Sequence, residues 1–223
     1  MATKKPKVPP PTTVLLVRHG TTPTTGKVLP GRAKGLHLAP QGVEQAEAAG
    51  ARIASVMGSR KDGGRVSAIY ASPMERTQET AKPIAKALGL RVRTASGLIE
   101  ADFGDWTGRK LAWLFKLPEW KQVQSNPSGF RFPHGESFSE MRTRITGAVA
   151  DLARAHAGET IVCVSHADPI KAVMADALGT HLDLFQRIVI SPCSVSALLV
   201  RTDGPPIVLC VNQTGDLGAL TPS

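Results

Sequence analysis

The sequence is poor in cysteine and in aromatic residues. Its three cysteines, Cys163, Cys193 and Cys210, lie in or beside apolar runs and show neither Cys-x-x-Cys spacing nor a nearby pair of histidines. This pattern disfavours a zinc site and predicts buried, reduced thiols in a cytoplasmic protein. Aromatic residues make up 4% of the chain, which is too few for a surface on which nucleic-acid bases stack.

Long apolar segments are also missing. No stretch approaches the roughly 20 apolar residues that cross a bilayer, and residues 1–11 contain basic residues and prolines but no apolar signal-peptide core. We therefore expect no signal peptide, no membrane partner and a cytoplasmic location. The 223 residues, 42% of them hydrophobic, are enough for one domain with a sizeable core.

Basic residues outnumber acidic residues. The formal net charge is +9 at pH 7, and positive potential attracts phosphates and polyanions. Part of the excess lies in the N-terminal tail and in a predicted turn at Arg60-Lys61, and the rest is scattered among acidic residues. The charge therefore indicates an acidic ligand without identifying it, and we expect no nucleic-acid partner.

Short apolar runs alternate with amphipathic segments along the chain. We expect residues 1–12, rich in lysine and proline, to be a disordered or extended tail, and residues 13–223 to be one domain. The predicted strands are Val14–Val17, Val66–Ala71, Leu90–Thr94, Ile161–Val164, Val195–Val200 and Ile207–Val211. The predicted helices are Gln41–Met57, one opened by Ser72-Pro73, one from the capping box Ser137–Glu140 to about His156, and one opened by Asp168-Pro169. This alternation predicts an α/β layered sheet.

Candidate anion ligands follow three of the predicted strands. Arg18-His19 ends the first strand, Arg76 comes shortly after the second, and His166 follows the strand at Ile161–Val164. Ligands of open α/β sheets bind outside the carboxyl ends of the strands. Arginine forks and helix N-termini both suit phosphate oxygens. Two arginines and two histidines that converge there predict a phosphate site.

Several motifs resemble those of the histidine phosphatase superfamily, also called the phosphoglycerate mutase-like superfamily, and they run in family order over almost the whole domain. The matching segments are Leu16–Gly20, Gly42 with Gln45-Ala46, Ala71–Pro73, Arg76–Ala81, Leu98–Gly108, Gly135–Ser137 and Val164–His166. The resemblance implies a three-layer α/β/α fold with a mostly parallel central sheet.

The resemblance also implies roles for individual residues. His19 would attack phosphorus and form a phosphohistidine, while Arg18, Arg76 and His166 would donate to the phosphoryl oxygens. Glu100 resembles the general acid of the family, and a raised pKa of this carboxyl would favour an acidic pH optimum. Asp102 remains the alternative acid. No metal ion and no other cofactor is expected.

Some positions depart from the family pattern. Thr21 and Thr25 replace a glutamate and an asparagine that many members carry, and we assign the Thr25 hydroxyl to phosphate binding. The segment Gly31–Gly42 is one residue longer and lacks an aspartate, so Arg32 and His37 receive no role. Ala167 stands where glycine is frequent, so a backbone contact to phosphate there depends on its φ angle.

The branch of the superfamily is indicated by the segment after the acid. Phe103–Lys110 resembles the broad-specificity phosphatases, whereas mutases carry a Tyr-Gly pair and further basic residues there. The expected activity is hydrolysis of a small phosphomonoester. Mutase-type transfer and a phosphate-binding regulatory domain remain alternatives, and both a monomer and a homodimer remain open. Trp106, Trp113, Phe115 and Trp120 are expected to be core or cover rather than a substrate surface.

Overall fold

The computed structural model describes residues 9–57 and 65–215. Residues 1–8 of the predicted tail and the predicted turn at Arg60-Lys61 lie outside these ranges, and the first strand begins at Thr12, inside the predicted tail. The strands in the described part are β1 (Thr12–Arg18), β2 (Val66–Ala71), β3 (Val92–Thr94), β4 (Thr160–Ser165), β5 (Val195–Val200) and β6 (Ile207–Gln213). The α-helices there are α1 (Pro40–Met57), α2 (Glu75–Leu88), α3 (Leu111–Leu114), α4 (Pro118–Ser125), α5 (Phe138–Ala155) and α6 (Ala167–Ala177).

The strands form one sheet in the order β3-β2-β4-β1-β5-β6. The pairs β3–β2, β2–β4 and β4–β1 are parallel, while β5 is antiparallel to both β1 and β6. The expected mostly parallel sheet is confirmed. Parallel neighbours place their carboxyl ends at one edge, so β1, β2 and β4 deliver the residues that follow them to the same place.

Both faces of the sheet are covered, which explains why the central strands are continuously apolar. In β1, Val14 and Leu16 face a core shared with α5 and α6, whereas Leu15 and Val17 face a core shared with α1 and α2. All four side chains are fully buried. A strand buried on both faces cannot alternate polar and apolar residues, so the run itself indicates a central position. The expected α/β/α layering is therefore confirmed.

Two helix starts differ from their predictions. Helix α2 begins at Glu75 rather than at Pro73, with Met74 as its cap. The Ser72 hydroxyl contacts His166 Nε2 (2.8 Å) and also accepts the Met74 N–H (3.4 Å). In α6, His166 is the backbone cap and Asp168 is the second helical residue. Its carboxylate does not cap the helix but accepts from Lys171 Nζ (3.1 Å).

Other predicted boundaries agree more closely with the structure. The capping box at Ser137 and Glu140 is present with both of its hydrogen bonds, and α5 ends at Ala155. Strand β3 begins at Val92, two residues late, because the Leu90 N–H still donates to Ala85 O at the end of α2 (2.9 Å). Of the cysteines, Cys163 and Cys193 are buried and Cys210 is half-buried, and none of the three forms a disulfide with another described residue.

Candidate active site

Two histidines lie together at the carboxyl ends of the neighbouring strands β1 and β4. Arg18 pairs with Ser165 in the parallel ladder, so the next residues, His19 and His166, leave the sheet side by side. The His19 N–H donates to Ser165 O (3.0 Å), and the centroids of the two imidazole rings are 5.3 Å apart. Both rings are buried.

Gly20, directly after His19, allows helix α1 to approach the end of β1. A Cβ atom on Gly20 would lie 2.5 Å from the carbonyl oxygen of Gly42, which no side chain could tolerate without a backbone shift. The Gly20 N–H donates to Thr80 Oγ1 of α2 (3.0 Å). The glycine of the Arg-His-Gly motif therefore holds His19 between the first two helices.

The two arginines predicted to bind phosphate bring buried N–H donors to this place. Arg76, in the first turn of α2, is fully buried; its Nη2 donates to Gly31 O (2.8 Å) and lies 3.2 Å from His166 Nδ1. Arg18 donates from Nη1 to Ile190 O (2.6 Å). The Nε and Nη1 atoms of Arg76 and the Nε of Arg18 are buried without a hydrogen-bond partner among the described residues.

Unpartnered donors on a buried guanidinium are costly, because a charged group loses its hydration and gains nothing in return. Native structures retain such groups where a ligand satisfies them. An oxyanion beside Arg18 and Arg76 would accept from these N–H groups in charge-assisted hydrogen bonds. The arrangement is therefore suited to phosphate.

The electrostatics of the site keep both imidazoles neutral. Burial, followed by the charges of Arg76 and Arg18, lowers the pKa of His19 to about 3. The pKa of His166 is well below its usual value, again mainly because of burial. His19 Nδ1 lies 2.8 Å from Gly20 O, and a carbonyl can only accept, so Nδ1 carries the proton and Nε2 carries the lone pair.

Glu100 reaches the same cleft from the loop that follows β3. Its carboxyl is buried, accepts the Ala101 N–H through Oε1 (2.9 Å) and lies 3.8 Å from His166 Nδ1 through Oε2. Burial, reinforced by the charge of Asp168, raises the pKa of Glu100 to about 7. The alternative acid, Asp102, is 41% exposed and faces Arg32 instead (3.4 Å). The geometry therefore favours Glu100 over Asp102 as the carboxyl of the cleft.

The cleft has a volume of about 370 Å³, within the range of small-molecule sites. Arg18, His19 and Glu100 form its polar end. The wall is largely apolar, and its apolar members are Val28, Leu29, Pro30, Phe103, Leu111, Ile188, Val189 and Ile190. Asp168, Lys171 and Gln186 also line the cleft and add polar groups to it. This shape fits a phosphate group at one end and an organic group along the wall.

The departures from the family pattern have different consequences. Thr25 lines the cleft, and its Oγ1 accepts the Thr22 N–H (2.9 Å). The same Oγ1 shares a hydrogen bond with Thr22 Oγ1 (3.0 Å), in which either hydroxyl can donate. Thr21 does not line the cleft. Ala167 is the first residue of α6 and lines the cleft in a helical conformation that alanine adopts without strain. His37 is exposed and pairs with Glu79, away from the cleft wall.

The aromatic segment is divided between core and surface. Trp106 is buried and stacks on Trp120 at 6.1 Å between centroids. Trp113 and Phe115 are 48% and 58% exposed. None of the four lines the cleft with His19, in agreement with the expectation of core or cover.

Several residues near the site were missed or left without a role at the level of sequence. Arg32, Glu136 and Arg144 surround the backbone of the Glu100 loop, and Asp168 and Lys171 line the cleft. The signals for Asp168 and Lys171 were their position in the helix that follows His166 and their i, i+3 spacing, which places both on one face of α6. Arg144 lies in an ordinary amphipathic helix and gives no local signal.

Two other kinds of site are absent from the described part of the chain. Across residues 9–57 and 65–215, no helix has the length and apolar character needed to cross a membrane. Within those ranges, no three His, Cys, Asp or Glu side chains cluster in a way that could hold a metal ion.

Fold and site together define a class: an α/β protein with paired histidines and buried arginines at the carboxyl edge of its sheet. Residues 14–213 match the family model of the histidine phosphatase superfamily, branch 1. The chain therefore belongs to this superfamily.

The relatives whose names state an activity include a phosphatase and a probable mutase. Phosphoserine phosphatase 1 of Hydrogenobacter thermophilus is 30% identical over 207 residues, which cover 92% of this chain and 94% of that protein. A probable phosphoglycerate mutase of Yersinia enterocolitica is 31% identical over 185 residues, 82% of each chain. The chain also matches mycobacterial proteins at 32% identity, and it spans 55% of their length.

A solved structure supports the same fold. A mutant phosphoserine phosphatase of Entamoeba histolytica in complex with phosphoserine superimposes with a TM-score of 0.79 at 26% sequence identity, over 92% of this chain and 99% of that one. The expected phosphoglycerate mutase-like fold is confirmed.

Proposed function

We propose that this chain is a metal-independent phosphomonoester hydrolase that works through a phosphohistidine on His19. The observation that carries the proposal is the unprotonated Nε2 of a buried, neutral His19, which lies near guanidinium donors of Arg18 and Arg76 that lack partners in the described residues. Transfer of a phosphoryl group needs both a nucleophile and several cationic donors to the phosphoryl oxygens. The two arginines supply positive charge that a metal ion supplies at other phosphoryl-transfer sites.

The first step transfers the phosphoryl group to the protein. The lone pair on His19 Nε2 forms a bond to phosphorus while the ester P–O bond on the opposite side breaks. The departing alkoxide takes the proton of Glu100, whose raised pKa keeps this carboxyl protonated in weakly acidic solution. An alcohol leaves, and phosphohistidine and a Glu100 carboxylate remain.

The second step hydrolyses the intermediate. A water molecule attacks phosphorus from the side that the alcohol has left, and the P–N bond to His19 breaks. Glu100 accepts the proton that this water loses, so the acid of the first step is the base of the second. Inorganic phosphate leaves, and both residues return to their initial protonation states.

His166 and Thr25 complete the phosphate site in this proposal. The Ser72 hydroxyl, 2.8 Å from His166 Nε2, can either accept from or donate to that nitrogen. In the structure Arg76 Nη2, which can only donate, lies 3.2 Å from His166 Nδ1, so Nδ1 accepts and Nε2 donates to Ser72. In the proposal a bound phosphate takes over the Arg76 N–H, and Ser72 then donates to Nε2 so that Nδ1 carries the proton and donates it to a phosphoryl oxygen. The remaining donors are the hydroxyl of Thr25 and the Ala167 N–H at the start of α6.

The charges of the cleft wall support hydrolysis over mutase-type transfer. A mutase must hold a bisphosphorylated intermediate, which needs cations beyond those around the first phosphate. Apart from Arg18 at the polar end, the residues lining the cleft include one cation, Lys171. Its ammonium is already bonded to Asp168 Oδ1 (3.1 Å) and Gln186 Oε1 (2.9 Å). A second phosphate would compete with a carboxylate, whereas an uncharged or zwitterionic leaving group would not.

The proposed substrate is a small phosphomonoester, and the pH optimum is acidic because the first step needs protonated Glu100. The phosphatase relatives support this reaction class. A regulatory domain without turnover is less consistent with a free nucleophilic nitrogen beside a buried, protonatable carboxyl.

The test is a panel of phosphomonoesters that includes an aryl phosphate, phosphoserine and 3-phosphoglycerate. The last two differ mainly in an ammonium or a hydroxyl group. Release of phosphate is measured for the natural chain, for His19→Ala, and for His134→Ala as a control at an 86% exposed histidine. We expect hydrolysis to be lost only in His19→Ala, with 3-phosphoglycerate not isomerised. Equal turnover by His19→Ala would overturn the proposal.

A further inference from the structure

The carboxyl of the cleft is held by an irregular loop. Glu100 lies between two short 3-10 turns, Ser96–Leu98 and Gly104–Trp106, and its own backbone belongs to no helix or strand. Two guanidinium groups converge on its carbonyl oxygen. Arg32 Nε donates to it at 2.9 Å, and Arg144 Nη2 donates at 3.3 Å.

Arg144 is committed entirely to this region. A guanidinium has five N–H donors, and Arg144 makes five hydrogen bonds. Nη1 donates to the carbonyls of Gly97 (2.9 Å) and Ile99 (2.8 Å), and Nη2 donates to Glu100 O (3.3 Å) and Glu136 Oε2 (2.9 Å). Nε donates to Glu136 Oε1 (2.8 Å). No donor remains for a substrate oxygen, so this arginine is not an anion ligand.

Glu136 connects the two arginines. Besides its two bonds from Arg144, its Oε2 accepts from Arg32 Nη2 (3.1 Å) and from the Asp102 N–H (3.3 Å). The carboxylate is only 14% exposed, so these bonds are partly shielded from water. Glu136 belongs to the Gly135–Ser137 motif, for which the phosphoryl chemistry itself provides no role.

The same network reaches the phosphate arginine. The carbonyl of Gly31 accepts from Arg76 Nη2 (2.8 Å), and the next residue, Arg32, binds the Glu100 carbonyl. Adjacent residues therefore fix the relative positions of a phosphate ligand and of the carboxyl. A displacement of about 1 Å can lower a reaction rate about 100-fold, so this coupling has a kinetic consequence.

We infer that Arg144, Glu136 and Arg32 form a positioning unit that holds the Glu100 carboxyl against the leaving-group oxygen. The inference rests on the proposed function, because it assigns these residues to the step in which the alcohol is protonated. None of the three touches the reacting atoms. They act through the backbone of residues 97–102.

The test compares leaving groups that need a proton with those that do not. The value of kcat/KM reports the steps up to release of the alcohol, so it is measured for an alkyl phosphate and for 2,4-dinitrophenyl phosphate. The variants are Arg144→Lys, which cannot make five bonds, and Glu136→Gln, which keeps the shape of the side chain. Arg142→Lys is the control, because Arg142 lies in the same helix as Arg144 but forms an exposed pair with Asp176 of α6 (3.9 Å).

We expect kcat/KM for the alkyl phosphate to fall by about 10- to 100-fold in both variants. For the dinitrophenyl ester it should fall by less than about threefold. The basic limb of the alkyl phosphate pH profile should also move to lower pH, because a displaced carboxyl is better hydrated. Arg142→Lys should match the natural chain.

Equal losses for the two esters would overturn the inference, as would unchanged values in both variants. Thermal unfolding identifies a variant that is not folded at the assay temperature, and if Arg144→Lys is such a variant, Glu136→Gln decides the question. Failure of the natural chain to hydrolyse either ester would instead contradict the proposed function. Hydrolysis that depends on His19 but shows no leaving-group effect in the variants would contradict only the positioning unit.

Discussion

Replacing Glu100 by glutamine removes a titratable carboxyl while keeping its shape and its bond to the Ala101 N–H. The structure buries this side chain beside Asp168 and raises its pKa to about 7. His19 has a pKa of about 3, so the nucleophile stays unprotonated throughout weakly acidic solution. Between these two values, the protonation state of Glu100 alone should limit the first step.

The expected magnitude follows from the fraction of Glu100 that is protonated. Well below a pKa of about 7 nearly all of the protein carries the acid, and each further pH unit above it lowers that fraction about tenfold. The value of kcat/KM for an alkyl phosphate should therefore fall about 50-fold between neutral pH and a pH two units higher. In Glu100→Gln it should be low at every pH and lack this limb.

The assay measures initial rates of both proteins from about pH 4 to 9, the range that spans the raised pKa. The second ionisation of the phosphate ester, near about pH 6, affects both proteins equally and cancels when the natural rate is divided by the variant rate. This ratio should be constant in acid and should decline above about pH 7. A ratio that is independent of pH would show that the protonated carboxyl is not used.

Stability should change with pH in the same direction. Because the folded pKa of Glu100 lies above its unfolded value, its stabilising contribution is fully present below the ordinary carboxyl pKa and is lost as pH rises through about 7. Glutamine has no such dependence. In urea titrations, Glu100→Gln should therefore gain stability relative to the natural chain as pH rises, and an opposite trend would contradict the raised pKa.

Three further predictions test other parts of the structure. Arg76→Gln should lower kcat by about 10²- to 10³-fold, because it removes donors to the phosphoryl oxygens of the transition state. The rate is measured at saturating substrate so that weaker substrate binding does not contribute. Full activity would show that Arg76 is not part of the phosphate site. Incubation with EDTA should leave the rate unchanged, whereas loss of activity that added metal restores would indicate metal-assisted chemistry. Gly104→Ala should reduce the free energy of unfolding by about 2 kcal/mol, because φ is +49° and a Cβ would lie 2.0 Å from Pro133 O. Gly147→Ala in α5, where no atom lies within 4 Å of the added Cβ, should increase that free energy by about 0.5–1 kcal/mol. Equal effects of the two substitutions would contradict the local geometry.

Much of the scaffold could be predicted because its signals are local. Val14–Val17 is apolar at every position, which marks a strand covered on both faces, and Ser137 with Glu140 marks the start of α5. Such patterns depend on residues that are close in sequence. Because His19 and His166 each follow an apolar strand directly, the sequence also predicts that both lie at the carboxyl edge of the sheet.

The remaining features depend on contacts between distant residues. The Ser72 hydroxyl, predicted to cap α2, contacts His166, which is 94 positions away. Arg144 and Glu100 are 44 positions apart, and the backbone of the Glu100 loop has no periodicity that could reveal its partner. The choice between Glu100 and Asp102 likewise depends on which side chain is buried, and the sequence of the loop does not show this.

The formation of a covalent intermediate on His19 is tested most directly by trapping it. The protein is mixed with a phosphomonoester labelled in its phosphoryl group, quenched within one turnover in alkali, where phosphohistidine survives, and digested for peptide mapping. We predict label on the peptide that contains His19, attached to the imidazole and absent from His19→Ala. Label on another side chain, or release of labelled phosphate by His19→Ala at the natural rate, would contradict this account.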